Sequence, residues 1–145
     1  MKNPLPLRID VQGDWPGAHR PGQLGIIVVD HGSRRDESNQ YIIEIATLYQ
    51  QQTEAAVVEP AHMELAQPDI AAAYDRCVKQ GAKYVVVHPY FLAPGRHWHE
   101  HIPALSKAAA ARHPETACIV TAPLGLHHLM IDIMHDRIQQ AVDNH

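Results

Sequence analysis

Short apolar runs alternate with amphipathic stretches along most of this chain. The run at 24–29, Leu-Gly-Ile-Ile-Val-Val, is rich in β-branched residues and ends in Asp30-His31-Gly32-Ser33, which predicts a buried strand feeding a loop. Between 36 and 52, Ile42, Ile45, Ala46 and Tyr49 recur at helical spacing among polar positions, with Asp36 and Glu37 at the start, where acids suit the helix dipole. The same alternation predicts strands at 56–61, 83–89 and 117–122 and helices at 68–80, 101–112 and 128–142. Pro68 and Pro103 suit first helical turns, Gly81 suits a C-terminal cap, and His113-Pro114 stops the third helix. Four strand-then-helix units with continuous apolar strands imply an α/β fold, doubly wound, with a four-stranded, mostly parallel sheet and helices on both faces. Residues 1–23 hold Pro4, Pro6, Pro16 and Pro21 with Gly13, Gly17 and Gly22, and are read as a Pro/Gly-rich N-terminal extension outside an α/β domain at 24–145.

With 145 residues the chain has the size of one ordinary domain. Such a chain buries roughly 68 to 70% of its unfolded surface, so stability requires no metal or disulfide staple. Cys77 and Cys118 lie far apart without a C-x-x-C pairing and are read as small buried apolar residues. The formal charge of -4 and the lack of a basic tract argue against nucleic-acid binding. No apolar run approaches the roughly 18 residues of a membrane span, and the opening stretch lacks a signal peptide's hydrophobic segment. A cytoplasmic protein without a membrane partner is the expectation. One count departs from this ordinary background: the 12 histidines equal Lys and Arg combined.

In an open α/β sheet, ligands bind outside the carboxyl ends of the strands, so the loops after the strands are read together. Eight histidines fall in or beside these loops: His31, His62, His88, His97, His99, His101, His127 and His128. Imidazole with carboxylate suits borderline divalent metals such as iron, cobalt, nickel and zinc. Arg34, Arg35 and Arg96 near one edge of an otherwise acidic chain suit a polyanionic ligand through bidentate contacts, although each also reads as a solvated loop charge.

The order His31-Gly32-Ser33-Arg34, then Glu64-Leu65-Ala66-x-Pro68, then Pro89-Tyr90-Phe91-Leu92-x-x-Gly95-x-His97 with Ile102-Pro103, resembles the short sirohydrochlorin chelatases of the CbiX and SirB type. The likeness runs over about residues 24–140. It implies the chelatase-like half-fold, a single lobe that pairs as a homodimer. The implied activity is that of a lyase: ATP-independent insertion of Co2+ or Fe2+, or Ni2+ in some members, into sirohydrochlorin or a related tetrapyrrole, for cobalamin or siroheme. The metal is then a substrate, and no permanently bound cofactor is implied.

Matched residue by residue, His31 and His97 correspond to the family's catalytic histidines and Glu64 to its acidic metal-binding residue. Insertion requires the ion to shed water and two pyrrole protons to leave, which calls for neutral imidazoles that ligate or accept protons. An adjacent carboxylate offsets the charge of the ion. The many carboxylates around the implied substrate give Ser33, Arg34, Arg35 and Arg96 a binding role, and its large ring gives Tyr90, Phe91, Leu92 and Trp98 a place as apolar wall, with loop packing as the plainer role for Phe91 and Leu92. His99, His101 and His127 are candidate auxiliary ligands. Two departures add ionisable groups: Asp30, where the family has a small residue before the first histidine, and His101, where it has Asp. Alternative readings are a histidine-rich metal-binding or storage module without catalysis, and a histidine phosphatase, which Asp30 disfavours by repelling phosphate.

Overall fold

The computed structural model describes residues 8–15, 22–93 and 95–144, and at Arg8, Ile9, Arg96, His97 and Trp98 it describes the backbone alone. The elements run β1 (Arg8–Gln12), β2 (Leu24–Asp30), α1 (Asp36–Thr53), β3 (Val57–His62), α2 (Ile70–Lys79), β4 (Tyr84–Pro89), α3 (Arg96–Ala111), β5 (Ala117–Thr121) and α4 (His128–Asp143). They form one sheet of order β1-β5-β4-β2-β3. β2 to β5 are mutually parallel, and β1 lies antiparallel on β5.

The α/β class and the parallel four-strand core agree with the sequence pattern, but the strand count is five. Residues 8–12, placed by their Pro and Gly neighbours in the extension, form β1. Ile9 and Val11 alternate with polar residues there, and the outer edge of β5 offers backbone groups that otherwise need water. Residues 1–7 and 16–21 of the extension lie outside the described residues.

Alternation along each strand sends side chains to opposite faces. Ile27 and Val29 pack with Val85, Val87 and Val120 against Tyr74 and Cys77 of α2 and Ile102 of α3. Ile26 and Val28 face the other way, onto Ile42 and Ile45 of α1. The chain leaves β2 for β3 on one side and returns to β4 on the other, so the gap between β2 and β4 is the topological switch point where α/β sheets bind ligands.

Two helix starts differ from the periodicity. α2 begins at Ile70, because the Asp69 side chain accepts the Ala72 N–H at 2.8 Å and caps it, leaving Pro68 outside. α3 begins at Arg96 rather than near 101, with Gly95 as its extended N-cap, so Pro103 sits inside the helix and not in its first turn. The motif residues 96–101 are therefore helical.

α4 is exceptional, since it buries none of its residues. On the α1 face of the sheet an apolar groove of about 450 Å³ lies open over β2, β4 and β5.

Ile102 is fully buried between α3 and the sheet. Ile102→Ala is expected to cost about 3 kcal/mol in urea denaturation; a loss below about 1 kcal/mol would mean that this side chain does not anchor α3.

Candidate functional site

β2 and β3 stay in register to their last residues, Asp30 opposite His62. Their pairing then continues beyond both strands: the Met63 N–H donates to the Asp30 carbonyl at 2.8 Å and the Glu64 N–H to the His31 carbonyl at 3.1 Å. A side-chain bond joins the same segments, as buried His62 donates from Nδ1 to Asp30 Oδ1 at 2.6 Å. The result is that His31 Nε2 lies 3.4 Å from Glu64 Oε1. Their side chains are 57% and 51% exposed, so this imidazole and carboxylate stand side by side and open to a ligand.

Gly32 makes the approach possible. Its φ is +93°, and a Cβ at this position would lie 1.8 Å from the Glu64 carbonyl oxygen. Asn39, in the first turns of α1, then ties the loop: its Oδ1 accepts the Ser33 N–H at 2.9 Å and its Nδ2 donates to the Ser33 carbonyl at 2.7 Å. Ser33 Oγ accepts the Arg35 N–H at 3.0 Å, so this hydroxyl shapes the loop as well as standing near the edge. Arg34 and Arg35 are exposed beside it.

The residues after β4 separate. Tyr90 lines the groove on the α1 face, with its ring 6.4 Å from that of Tyr41, whereas Phe91 packs against the core on the α2 side. Leu92 is 70% exposed and is the apolar side chain of the three that is free to meet a ring. His99 and His101 are exposed on α3, and His101 shares a small cleft with Glu64, Met63, Ala104 and Leu105. The backbone places His97 in the first turn of α3, one helical turn before His101; the side chains of His97 and Arg96 lie outside the described residues.

Other histidines have structural tasks. His127 accepts the Leu129 N–H at Nδ1, 3.1 Å, and caps α4, which leaves the proton on Nε2, and its ring stacks on His128. His113 donates to Asp75 at 2.7 Å and stacks on Tyr74. His88 donates to Thr121 Oγ1 at 2.8 Å, since the Thr121 hydroxyl proton goes to the Ala122 carbonyl. Among the described residues no group of three or more His, Cys, Asp or Glu side chains is placed to hold a metal ion.

Sequence reasoning did not find Asp30 paired with His62, or Asn39. Asp30 reads there as a departure and His62 as an edge histidine without a role, because their meeting depends on which strands are neighbours.

The family model described as CbiX matches residues 25–141. The chain belongs to the CbiX family. It is 52% identical over 120 residues to the chloroplastic sirohydrochlorin ferrochelatase of Arabidopsis thaliana, covering 83% of this chain and 53% of that protein. It is 27% identical over 135 residues to a sirohydrochlorin cobaltochelatase of Methanothermobacter thermautotrophicus, covering 83% of this chain and 94% of that one. The solved structure of the sirohydrochlorin chelatase SirB from Bacillus subtilis subspecies spizizenii, in complex with cobalt, matches with a TM-score of 0.75 and 28% identity, over 81% of this chain and 50% of that one. The chain thus spans about half the length of several relatives it matches. For a CbiX-family chain the site described here falls within the matched region, His31 and Glu64 included. No helix among the described residues is long and apolar enough to cross a membrane.

Two outcomes follow. Gly32→Ala is expected to lower stability by more than about 2 kcal/mol in chemical denaturation, through both the left-handed backbone and the clash with Glu64; an unchanged midpoint would show that the loop can rearrange around a side chain. Burial lowers the pKa of His88 from 6.5, favouring its neutral form in the fold. The unfolded chain then takes up this proton first, so stability present above pH 6.5 is lost as pH falls through and below that value. His88→Gln should flatten part of that loss between about pH 7 and 5 in denaturation curves; a profile parallel to wild type would exclude His88 as its source.

Proposed function

We propose that this chain inserts a divalent metal, Co2+ or Fe2+ with Ni2+ as a further candidate, into sirohydrochlorin or a related tetrapyrrole, in cobalamin or siroheme formation. The observation that carries the reading is the exposed His31–Glu64 pair, 3.4 Å apart at the carboxyl edge of a CbiX-family lobe. The names of the Arabidopsis and Methanothermobacter relatives support the substrate and the two metals. The ion enters as a substrate, and the reading calls for no resident cofactor.

In this mechanism His31 and His97 exchange water on the incoming ion for imidazole nitrogen and accept the two pyrrole protons as the metal drops into the ring. Glu64 offsets the positive charge that gathers beside His31. Arg34, Arg35 and Arg96 hold the peripheral carboxylates of the macrocycle by charge-assisted hydrogen bonds, and Leu92 supplies apolar contact to its face. Ser33, Tyr90 and Phe91 act mainly by holding the loops that carry these groups. His101, which shares the Glu64 cleft, is the best placed of the auxiliary histidines to relay an ion.

One lobe covers a large ring on one side only, so the working form in this reading is a homodimer, with a second copy where relatives of twice the length carry more chain. The free, buried Cys77 and Cys118 fit a reducing compartment, and the cytoplasm is proposed.

Anaerobic spectrophotometry of sirohydrochlorin with Co2+, Fe2+ and Ni2+, each side by side, tests the reading. Insertion well above the spontaneous rate is expected, with His31→Ala and His97→Ala each losing about 100-fold or more. No acceleration with any of the three metals, alongside metal binding by the protein, would favour the storage-module alternative instead.

A further inference from the structure

Outside the helices, three large apolar side chains stand more than half exposed among the described residues: Leu65, Leu92 and Leu126. Each lies on a loop at the carboxyl edge, Leu65 after β3, Leu92 after β4 and Leu126 after β5. Because β2 runs between β4 and β3, the loop of His31 stands between the loops of Leu92 and Leu65. Leu126 continues the row on the next strand and shares a cleft of about 280 Å³ with Leu92. From β3 to β5 the edge covers three strand spacings, about 14 Å, which is the scale of a large flat ring.

Leu65 is the least expected of the three. Its φ of +69° lies in the left-handed region, where the Cβ of an ordinary residue crowds the backbone and Gly or Asn is the usual occupant. The loop holds it there: the His62 N–H donates to the Pro68 carbonyl at 2.8 Å across the base of the loop, and the Glu64 N–H donates to the His31 carbonyl. Within the fold this leucine meets a steric cost from its backbone and recovers little of the burial that would offset it. Glu64, the residue before it, belongs to the exposed imidazole–carboxylate pair. We infer that Leu65 is a substrate contact, which meets the face of the macrocycle from the β3 side, across the His31 loop from Leu92. The assignment rests on the tetrapyrrole reading and deepens it. The order of groups along the edge selects the ring over a protein partner. A contact between proteins keeps apolar residues at its centre and charges at its rim. Here the ionic His31 loop is central and the leucine-bearing loops flank it. A four-pyrrole ring has that layout, with metal-binding nitrogens at the middle of an apolar disc.

Titration of the full chain with metal-free sirohydrochlorin, followed by the absorbance of the ring, tests the contact. Leu65→Asn accepts the left-handed backbone but removes the apolar body, whereas Leu65→Met keeps an apolar body of similar volume. Leu65→Asn is expected to bind the ring about fivefold or more weakly, with an unfolding midpoint equal to or above that of wild type and Co2+ binding unchanged. In insertion assays its KM rises by a like factor while kcat stays within about twofold. Leu65→Met is expected to bind the ring within about twofold of wild type. Wild-type affinity in Leu65→Asn overturns the contact while leaving metal insertion standing. A lowered unfolding midpoint in Leu65→Asn overturns it by showing that the leucine serves the fold, and a lower dimer fraction in sedimentation overturns it in favour of a contact between copies. A wild-type chain that does not bind the ring removes the contact and the proposed function together.

Discussion

Two backbone hydrogen bonds beyond the ends of β2 and β3, from Met63 to Asp30 and from Glu64 to His31, carry the geometry of the site. Strands of a sheet normally diverge where their ladder stops. Here the ladder continues into the loops, so an imidazole and a carboxylate 33 positions apart in the chain face the same space. Gly32 is the condition for it, because any Cβ there would strike the Glu64 carbonyl. The bond from buried His62 to half-buried Asp30 reinforces the same crossing. A buried imidazole N–H needs such a partner, since a polar group left unpaired below the surface costs free energy.

This arrangement separates rigidity from reactivity. Asp30, His62, Asn39 and the Ser33 backbone spend their hydrogen-bonding capacity on one another and on the loop. His31, Glu64 and the neighbouring Arg34 and Arg35 remain exposed. On the proposed function, a site that takes up a hydrated ion and a large anionic ring needs groups held firmly in position but open to solvent, and the second layer supplies that support. The cover of the sheet is as uneven as the site is ordered: two helices on one face, one on the other, and an amphipathic fourth that buries nothing. Both the edge of the site and the α1 face of the sheet thus present side chains to the outside among the described residues.

Much of this was legible in the residues. His31 and Glu64 follow strand ends in a pattern that needs only local reading, and the parallel core follows from short apolar runs separated by helical periods. Less was legible where an answer depended on neighbours. Tyr90 and Phe91 are adjacent in sequence, yet one lines the α1-face groove and the other packs on the opposite core, where the chain turns just past β4 with the Phe91 N–H on the Pro89 carbonyl. His127, a ligand candidate by position, caps a helix. Residues 8–12 show a strand's alternation but lie among prolines and glycines, and what settles their state is the open edge of β5.

By itself, then, the sequence determined the class of fold, the succession of elements and the identities of the groups at the carboxyl edge, because periodicity, turn residues and strand-end motifs are local properties of the chain. Tertiary structure alone decided the order β1-β5-β4-β2-β3, the pairing of Asp30 with His62, the contact of His31 with Glu64 and, among the described residues, the groove over β2, β4 and β5. Those depend on which segments become neighbours, and that is chosen by the joint burial of apolar faces from the whole chain, a sum to which no single stretch of residues holds the answer.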